Sequence, residues 1–278
     1  MEVILKNMAE KTTQNDFPSF EQSFLRISKQ VRAHDAVLLM GLPGIGLVSK
    51  LAADHLVKTL KATRIATLYS PHFPNQVLAE PSGALRPFKL SFYHKKVGKR
   101  DLMIMLGDIQ PLTVEGQYEV AAKTLKHFAS CNGSEVIAMA GYAVNRRSEK
   151  PNVYCAASGK EAFHSFEKIG CKKTEGTVPI VGMAGLVPAL APLYGLKGTC
   201  LLVETPGTNF DAIGAAALLE IIGKKMGAKF DAKGLEAQAK KAQAFVEKIE
   251  KQARQEATKA TAHAPATENQ RDAVTYIR

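Results

Sequence analysis

Apolar residues along this chain fall into short, nearly continuous runs, separated by longer stretches in which they recur at helical spacing. The runs at Ala36–Met40, Ile65–Tyr69, Lys89–His94, Leu102–Leu106, Glu135–Ala140, Val153–Ala156, Val178–Val181 and Thr199–Glu204 have strand length. The periodic stretches predict helices over Gly46–Leu60, Val114–Cys131, Lys160–Ile169, Gly185–Tyr194 and Asp211–Gly227. Strands that are apolar at consecutive positions, rather than alternating, are covered on both faces. Their alternation with helices therefore predicts an α/β domain around a largely buried sheet. Asn209 or Asp211 is placed to cap the last of these helices, and Gly227 to end it.

The pattern changes at both ends. Val3–Leu5 reads as a strand, followed by polar linker to residue 30, with the α/β core spanning residues 31–231. After Gly234, apolar residues at Leu235, Ala239, Ala242, Val246, Ile249 and Ala253 alternate spacings of four and three. Glu236–Lys240 and Glu247–Lys251 pair across one helical turn. This predicts a helix over residues 232–256 that packs on the domain or on a neighbouring subunit. Residues 257–278 are rich in Ala, Thr and charge, with little to bury, and read as a disordered tail. Its last residues, Ala273 to Arg278, turn apolar and aromatic again, which makes them a candidate docking peptide.

Composition narrows the class. The 278 residues are 46% hydrophobic and 23% charged, as in a globular protein. No apolar run reaches the roughly 18 residues that span a bilayer, and the N-terminus lacks the pattern of a secretory signal. Cys131, Cys155, Cys171 and Cys200 are scattered, without CxxC or histidine at ligand spacing, so they point to small buried residues in a reducing cytoplasm rather than zinc. The formal charge of +11 invites nucleic acid as a partner. The excess is spread out, however: 28 basic against 20 acidic residues up to position 231, and 9 against 6 after it. The densest cluster, His94 to Asp101, reads as a hairpin turn, and no basic–aromatic stripe accompanies it. A solvated loop is the reading of that cluster, and the charge leaves an acidic protein partner open.

The segment MGLPGIGLVSK, Met40 to Lys50, lies between a strand and a helix, where nucleotide-binding folds place phosphate loops. Gly41 and Gly46 have P-loop spacing, but Leu47 stands where the lysine belongs and Lys50 comes three residues late. Gly44 and Gly46 begin a dinucleotide fingerprint that ends on Ser49, and Leu60–Tyr69 holds no acidic residue for a ribose. Pro43 removes a further amide donor. The loop reads as a tight turn with no cofactor, metal or phosphate to hold. His72 and Glu80 flank the loop Ser70 to Gln76, and a small-molecule hydrolase or phosphorylase-like enzyme is the alternative, with a cleft near the glycine loop drawing on His72, Asp108, Asn145 and Arg146. No nucleophile, base and oxyanion set can be assembled from them, so no catalytic residue is assigned.

Four segments together resemble the proteasome assembly chaperone family in its archaeal form. They are the strand followed by GLPGIGLVSKLAADHLV, the stretch LMIMLGDIQPLTVEGQYEVAAKTLKHF, the stretch TEGTVPIVGMAGLVPALAPLYGLKGTCLLVETPG, and the helical DAKGLEAQAKKAQAFVEKIEKQAR. The second carries Gly107-Asp108-Ile109-Gln110-Pro111 ahead of a helix containing Tyr118, matching a GDxQP pattern in that family. The resemblance spans residues 30–255. It implies a three-layer αβα sandwich of the kind shared with nucleoside phosphorylases and some peptidases, without enzyme activity. It also implies homo-oligomers that bind the proteasome core particle or its α subunits without ATP. Some members dock through a C-terminal hydrophobic–tyrosine–any-residue motif, whose carboxylate pairs with a pocket lysine. Tyr276, Ile277 and Arg278 are the corresponding residues here, with the tyrosine third from the end instead of second. Either Tyr276 takes the hydrophobic position and Ile277 replaces the tyrosine, or the register differs. Weaker gate opening with surviving tethered docking is the expectation.

Overall fold

The computed structural model describes residues 20–243 apart from Arg147, Thr208, Asn209 and Ala242. An eight-stranded sheet runs through its centre in the order β1-β3-β6-β7-β2-β8-β10-β9. These strands are β1 (Phe24–Ile27), β2 (Ala36–Gly41), β3 (Thr63–Tyr69), β6 (Leu90–Val97), β7 (Arg100–Gly107), β8 (Gly133–Ala143), β9 (Val153–Ala157) and β10 (Lys197–Thr205). A separate two-stranded hairpin is formed by β4 (Val77–Ala79) and β5 (Leu85–Pro87). The four middle strands β7, β2, β8 and β10 are parallel. The remaining neighbours pair antiparallel, with β9 closing one edge and β1 the other.

The helices are α1 (Val48–Thr59), α2 (Val114–Ser130), α3 (Lys160–Glu167), α4 (Met183–Leu190) and α5 (Ala212–Met226). They divide into two layers, and strand β2 shows why all six of its residues are buried. Val37 and Leu39 point into one core with Leu51 and Leu56 of α1, Phe166 of α3 and Leu218 and Ile222 of α5. Leu38 and Met40 point into the other, with Val120, Leu125 and Phe128 of α2 and Met183 and Val187 of α4. Successive strand residues face opposite sides, so an unbroken apolar run is the signature of a sheet between two helical layers. The three-layer αβα sandwich expected from the sequence is the fold.

Local chemistry sets the helix ends. Thr113 caps α2, its hydroxyl accepting from the Gly116 amide at 3.0 Å. Asp211 caps α5 by accepting from the Gly214 amide at 2.9 Å, and Gly227 ends that helix in the left-handed region. Asn209, the other capping candidate, lies outside the described residues. The basic cluster at 94–101 is the β6–β7 hairpin, turning at Gly98 with φ of 60°.

Three expectations differ from the fold. Val178–Val181, expected as a strand, is an irregular connection leading into α4, and the outer edge of β9 is met by Lys172 opposite Tyr154 instead. Phe24–Ile27, inside the stretch read as linker, pairs with β3 from Ala66 to Tyr69. The β4–β5 hairpin was not foreseen. Residues 235–241 are helical and bury Leu235 and Ala239 against the α1/α5 core. The Val3–Leu5 strand, the rest of the 232–256 helix and the tail, with Tyr276, Ile277 and Arg278, lie outside the described residues.

Candidate functional site

In open α/β sheets, ligands bind beyond the carboxyl ends of the parallel strands. Here that region is occupied by protein. The loop after β2 continues through a single helical turn, Ile45–Leu47, into α1. Gly46 and Leu47 both adopt the left-handed conformation, with φ of 65° and 49°. Gly46 lies against β10: a methyl group there would meet the Thr205 hydroxyl at 2.5 Å. Its carbonyl accepts from the Asp211 amide at 2.9 Å, and Ser49 donates to the Leu42 carbonyl at 2.5 Å. Gly41 is equally constrained, since an added methyl would come within 2.1 Å of Ala53 on α1. The glycines are there so that α1 and β10 can approach the loop, and the loop carbonyls of Leu42, Pro43, Gly44 and Gly46 each accept a hydrogen bond from the protein.

Lys50 confirms this from the side-chain end. Its ammonium donates to the Gly107 carbonyl at 2.7 Å, away from the loop amides. Burial pushes it below the ordinary lysine value, while Asp108 and Asp54 oppose that shift.

The segment Gly107–Thr113 then ties three loops together. Asp108 receives Arg86 of β5 through two hydrogen bonds, at 2.5 and 3.2 Å, and Arg86 also donates to Glu80 at 2.6 Å. This fork-on-carboxylate pairing pins the β4–β5 hairpin to the end of the sheet. Gln110 donates to the Pro43 carbonyl at 2.7 Å and accepts from the Met183 amide at 3.0 Å, joining the glycine loop to the start of α4. Leu112 donates its amide to the His72 carbonyl at 3.0 Å. The His72 ring sits between Glu119 at 2.8 Å and Thr113 at 3.2 Å.

The residues considered for an enzymatic cleft are thus spoken for one by one. His72 serves the start of α2, Glu80 and Asp108 hold Arg86, and Asn145 and Arg146 sit exposed on the bend after β8. No hydrogen bond joins His72 to Asp108 among the described residues. Glu119 is the participant that sequence reasoning passed over, since it stands in no recognisable spacing. Gln110 belongs to the GDIQP segment, but its partners are backbone atoms of distant segments, Pro43 and Met183, which the motif does not reveal. The four cysteines are free and buried, and burial pushes the Cys155, Cys171 and Cys200 thiols up to about 12. They are packing residues rather than nucleophiles. Among the described residues, no helix is long and apolar enough to cross a membrane.

Relatives carry the same architecture. The model of the PAC2 family matches residues 38–250. An uncharacterised protein of Methanocaldococcus jannaschii is 35% identical over 218 residues, covering 78% of this chain and 84% of that one. Among solved structures, Pyrococcus furiosus PbaB, an archaeal proteasome activator, superposes with a TM-score of 0.74 at 34% identity, over 83% of this chain and 99% of PbaB. Pyrococcus furiosus PbaA, an archaeal homolog of proteasome-assembly chaperone, gives 0.69 at 26% identity, over 84% and 98%. The resemblance first carried by the glycine loop and the GDIQP segment therefore holds over the whole core, and this chain belongs to the PAC2 family.

Proposed function

We propose that this protein is an ATP-independent proteasome assembly chaperone or proteasome-binding adaptor, acting in the cytoplasm as a homo-oligomer. The reading is supported chiefly by the 34% identity to PbaB, an archaeal proteasome activator, across nearly all of that chain. The filled strand ends agree with it. The glycine loop's lysine is committed to the Gly107 carbonyl and Leu47 stands where a phosphate-binding lysine would, which supports docking without ATP.

The docking element is the terminal Tyr276-Ile277-Arg278, which engages α subunits of the core particle. A hydrophobic–aromatic pair beside a terminal carboxylate supplies apolar contact and one fixed charge in the same short peptide. Several such tails on one oligomer, meeting a ring of repeated pockets, raise the effective concentration at each pocket. That compensates for the displaced tyrosine. The test is capture of purified archaeal core particle by the immobilised full-length chain, with and without ATP. Equal capture in both is expected, and capture that requires ATP would overturn the reading.

A further inference from the structure

The helical layer on the α1 side of the sheet does not reach its β1 edge. There α1 packs on β8, β2 and β7, and Tyr93 of β6 rests against the margin of that core. Leu90 and Phe92 of β6, Ala66 and Leu68 of β3 and Leu25 of β1 all point the other way, into the core under α2. Alternation along each strand therefore turns the residues between them to the α1 side. The bulge between Arg64 and Ala66 sets Arg64 opposite Tyr93 on that same side. The ladder lays these residues out in rows. Phe24 stands beside Tyr69, Arg26 beside Thr67 and Ser91, and Arg64 beside Tyr93. Lys89 follows Tyr69 on the neighbouring strand, one place beyond the Leu68–Leu90 pair.

The chemistry of this face is one-sided. Thr67 and Ser91 are 8% and 5% exposed, and neither hydroxyl has a hydrogen-bond partner among the described residues. Buried polar groups without partners call for an explanation. The side chains of Arg26, Arg64 and Lys89 form no ion pair among those residues either. Burial holds the Lys89 ammonium below the ordinary lysine value, and Arg86 and Arg64 push it the same way, so these cations lie within electrostatic reach of one another. Asp108 and Glu80 oppose that shift, but both are held by Arg86. No Asp or Glu occupies this face of β1, β3, β6 or β7.

Charge complementarity makes the occupant anionic, and the rings decide its class. Single-stranded nucleic acid stacks its bases on open aromatic faces. Here Phe24 and Tyr69 stack on each other at 5.3 Å and 24°, Phe20 meets Phe24 edge-on, and Tyr93 lies against the α1 core. Rows on one face of a strand repeat about every 7 Å, which is also the spacing of alternate side chains in an extended peptide. We propose that this face binds an extended acidic segment of a partner protein. Its alternate Asp or Glu carboxylates meet Lys89, the Thr67–Ser91 hydroxyl pair beside Arg26, and Arg64. The site is separate from the terminal docking peptide and does not depend on the proteasome reading.

The test is fluorescence anisotropy of the full chain with a labelled peptide of alternating Glu and Thr, first at low salt and then in added sodium chloride. Saturable binding that weakens as salt rises is expected. Arg26→Glu and Arg64→Glu alter exposed positions, so unchanged circular dichroism and melting serve as the folding control. Each should weaken binding at least tenfold. Thr67→Val combined with Ser91→Ala removes both hydroxyls and should weaken it at least threefold. Lys126→Glu makes the same change of charge at an exposed position of α2, under the opposite face, and should leave the affinity within twofold of wild type. No binding of the acidic peptide by the wild type, or an equal loss in Lys126→Glu, would overturn the proposal. Tighter binding of an oligothymidylate of the same length, lost in the same variants, would also overturn it and assign the face to nucleic acid. Core particle is absent from every arm, so failure of the proteasome reading leaves these outcomes untouched.

Discussion

Replacing Gly46 with alanine separates a structural glycine loop from a ligand-binding one. At φ of 65° an L-residue carries about 1–2 kcal/mol of steric cost. The new methyl would also meet the Thr205 hydroxyl at 2.5 Å, and Thr205 is fully buried, so it has little room to withdraw. Overpacking of that kind adds about 1–3 kcal/mol. Gly46→Ala should therefore lose about 2–5 kcal/mol by these two effects, read from urea unfolding at fixed protomer concentration. A double-mutant cycle isolates the contact. Thr205→Ala removes the clashing atoms and the hydroxyl that accepts from the Gly207 amide at 3.3 Å, for a loss of about 1 kcal/mol. The double variant should be more stable than the two losses added together, with a coupling of about 1–3 kcal/mol. Gly44→Ala is the control: its backbone is extended and a methyl there meets nothing within 4 Å. It should stay within about 0.5 kcal/mol of wild type. Additive losses in the cycle, or a Gly46→Ala protein as stable as wild type, would refute the packing explanation of this loop.

Two further outcomes follow from buried charge. His127 is buried against the Phe92 ring, and burial holds its pKa below the ordinary 6.5. The unfolded chain then binds a proton that the native state does not. Stability should fall as pH drops below about 6.5, and His127→Leu should flatten that part of a stability-versus-pH series. On the α5 face of the sheet, Lys225 meets buried Glu135 at 3.0 Å while lying 4.4 Å above the Phe166 ring. Lys225→Met should cost about 1–3 kcal/mol by leaving the buried carboxylate with only Arg100, at 4.0 Å, as a charged partner. Adding Glu135→Leu should restore most of it in thermal or urea unfolding, and a double variant no better than Lys225→Met would contradict that.

Legibility in the sequence tracked how local the cause was. The parallel strands and all five helices were visible because burial on both faces writes unbroken apolar runs, and the Asp211 cap and Gly227 end are set within a single turn. Val178–Val181 has the apolarity of a strand, yet a strand also needs a partner, and the outer edge of β9 meets Lys172 instead. Phe24–Ile27 had the reverse problem, since its partner in β3 is distant and its own pattern is only half buried. For the glycine loop, Leu47 and Ser49 broke both phosphate motifs in the sequence, whereas the packing of Gly41 against Ala53 and of Gly46 against Thr205 was not readable. Gln110 closes the loop through backbone atoms 67 and 73 residues away, and nothing in its own surroundings announces them.

We propose that a short terminal peptide, Tyr276-Ile277-Arg278, connects this fold to the proteasome. The measurement is equilibrium binding of core particle to the full-length protein and to a chain lacking Tyr276, Ile277 and Arg278. Both are compared at equal oligomeric mass, so that avidity is matched. Affinity at least tenfold weaker for the shortened chain is the expected result. Undiminished binding without those three residues would contradict it.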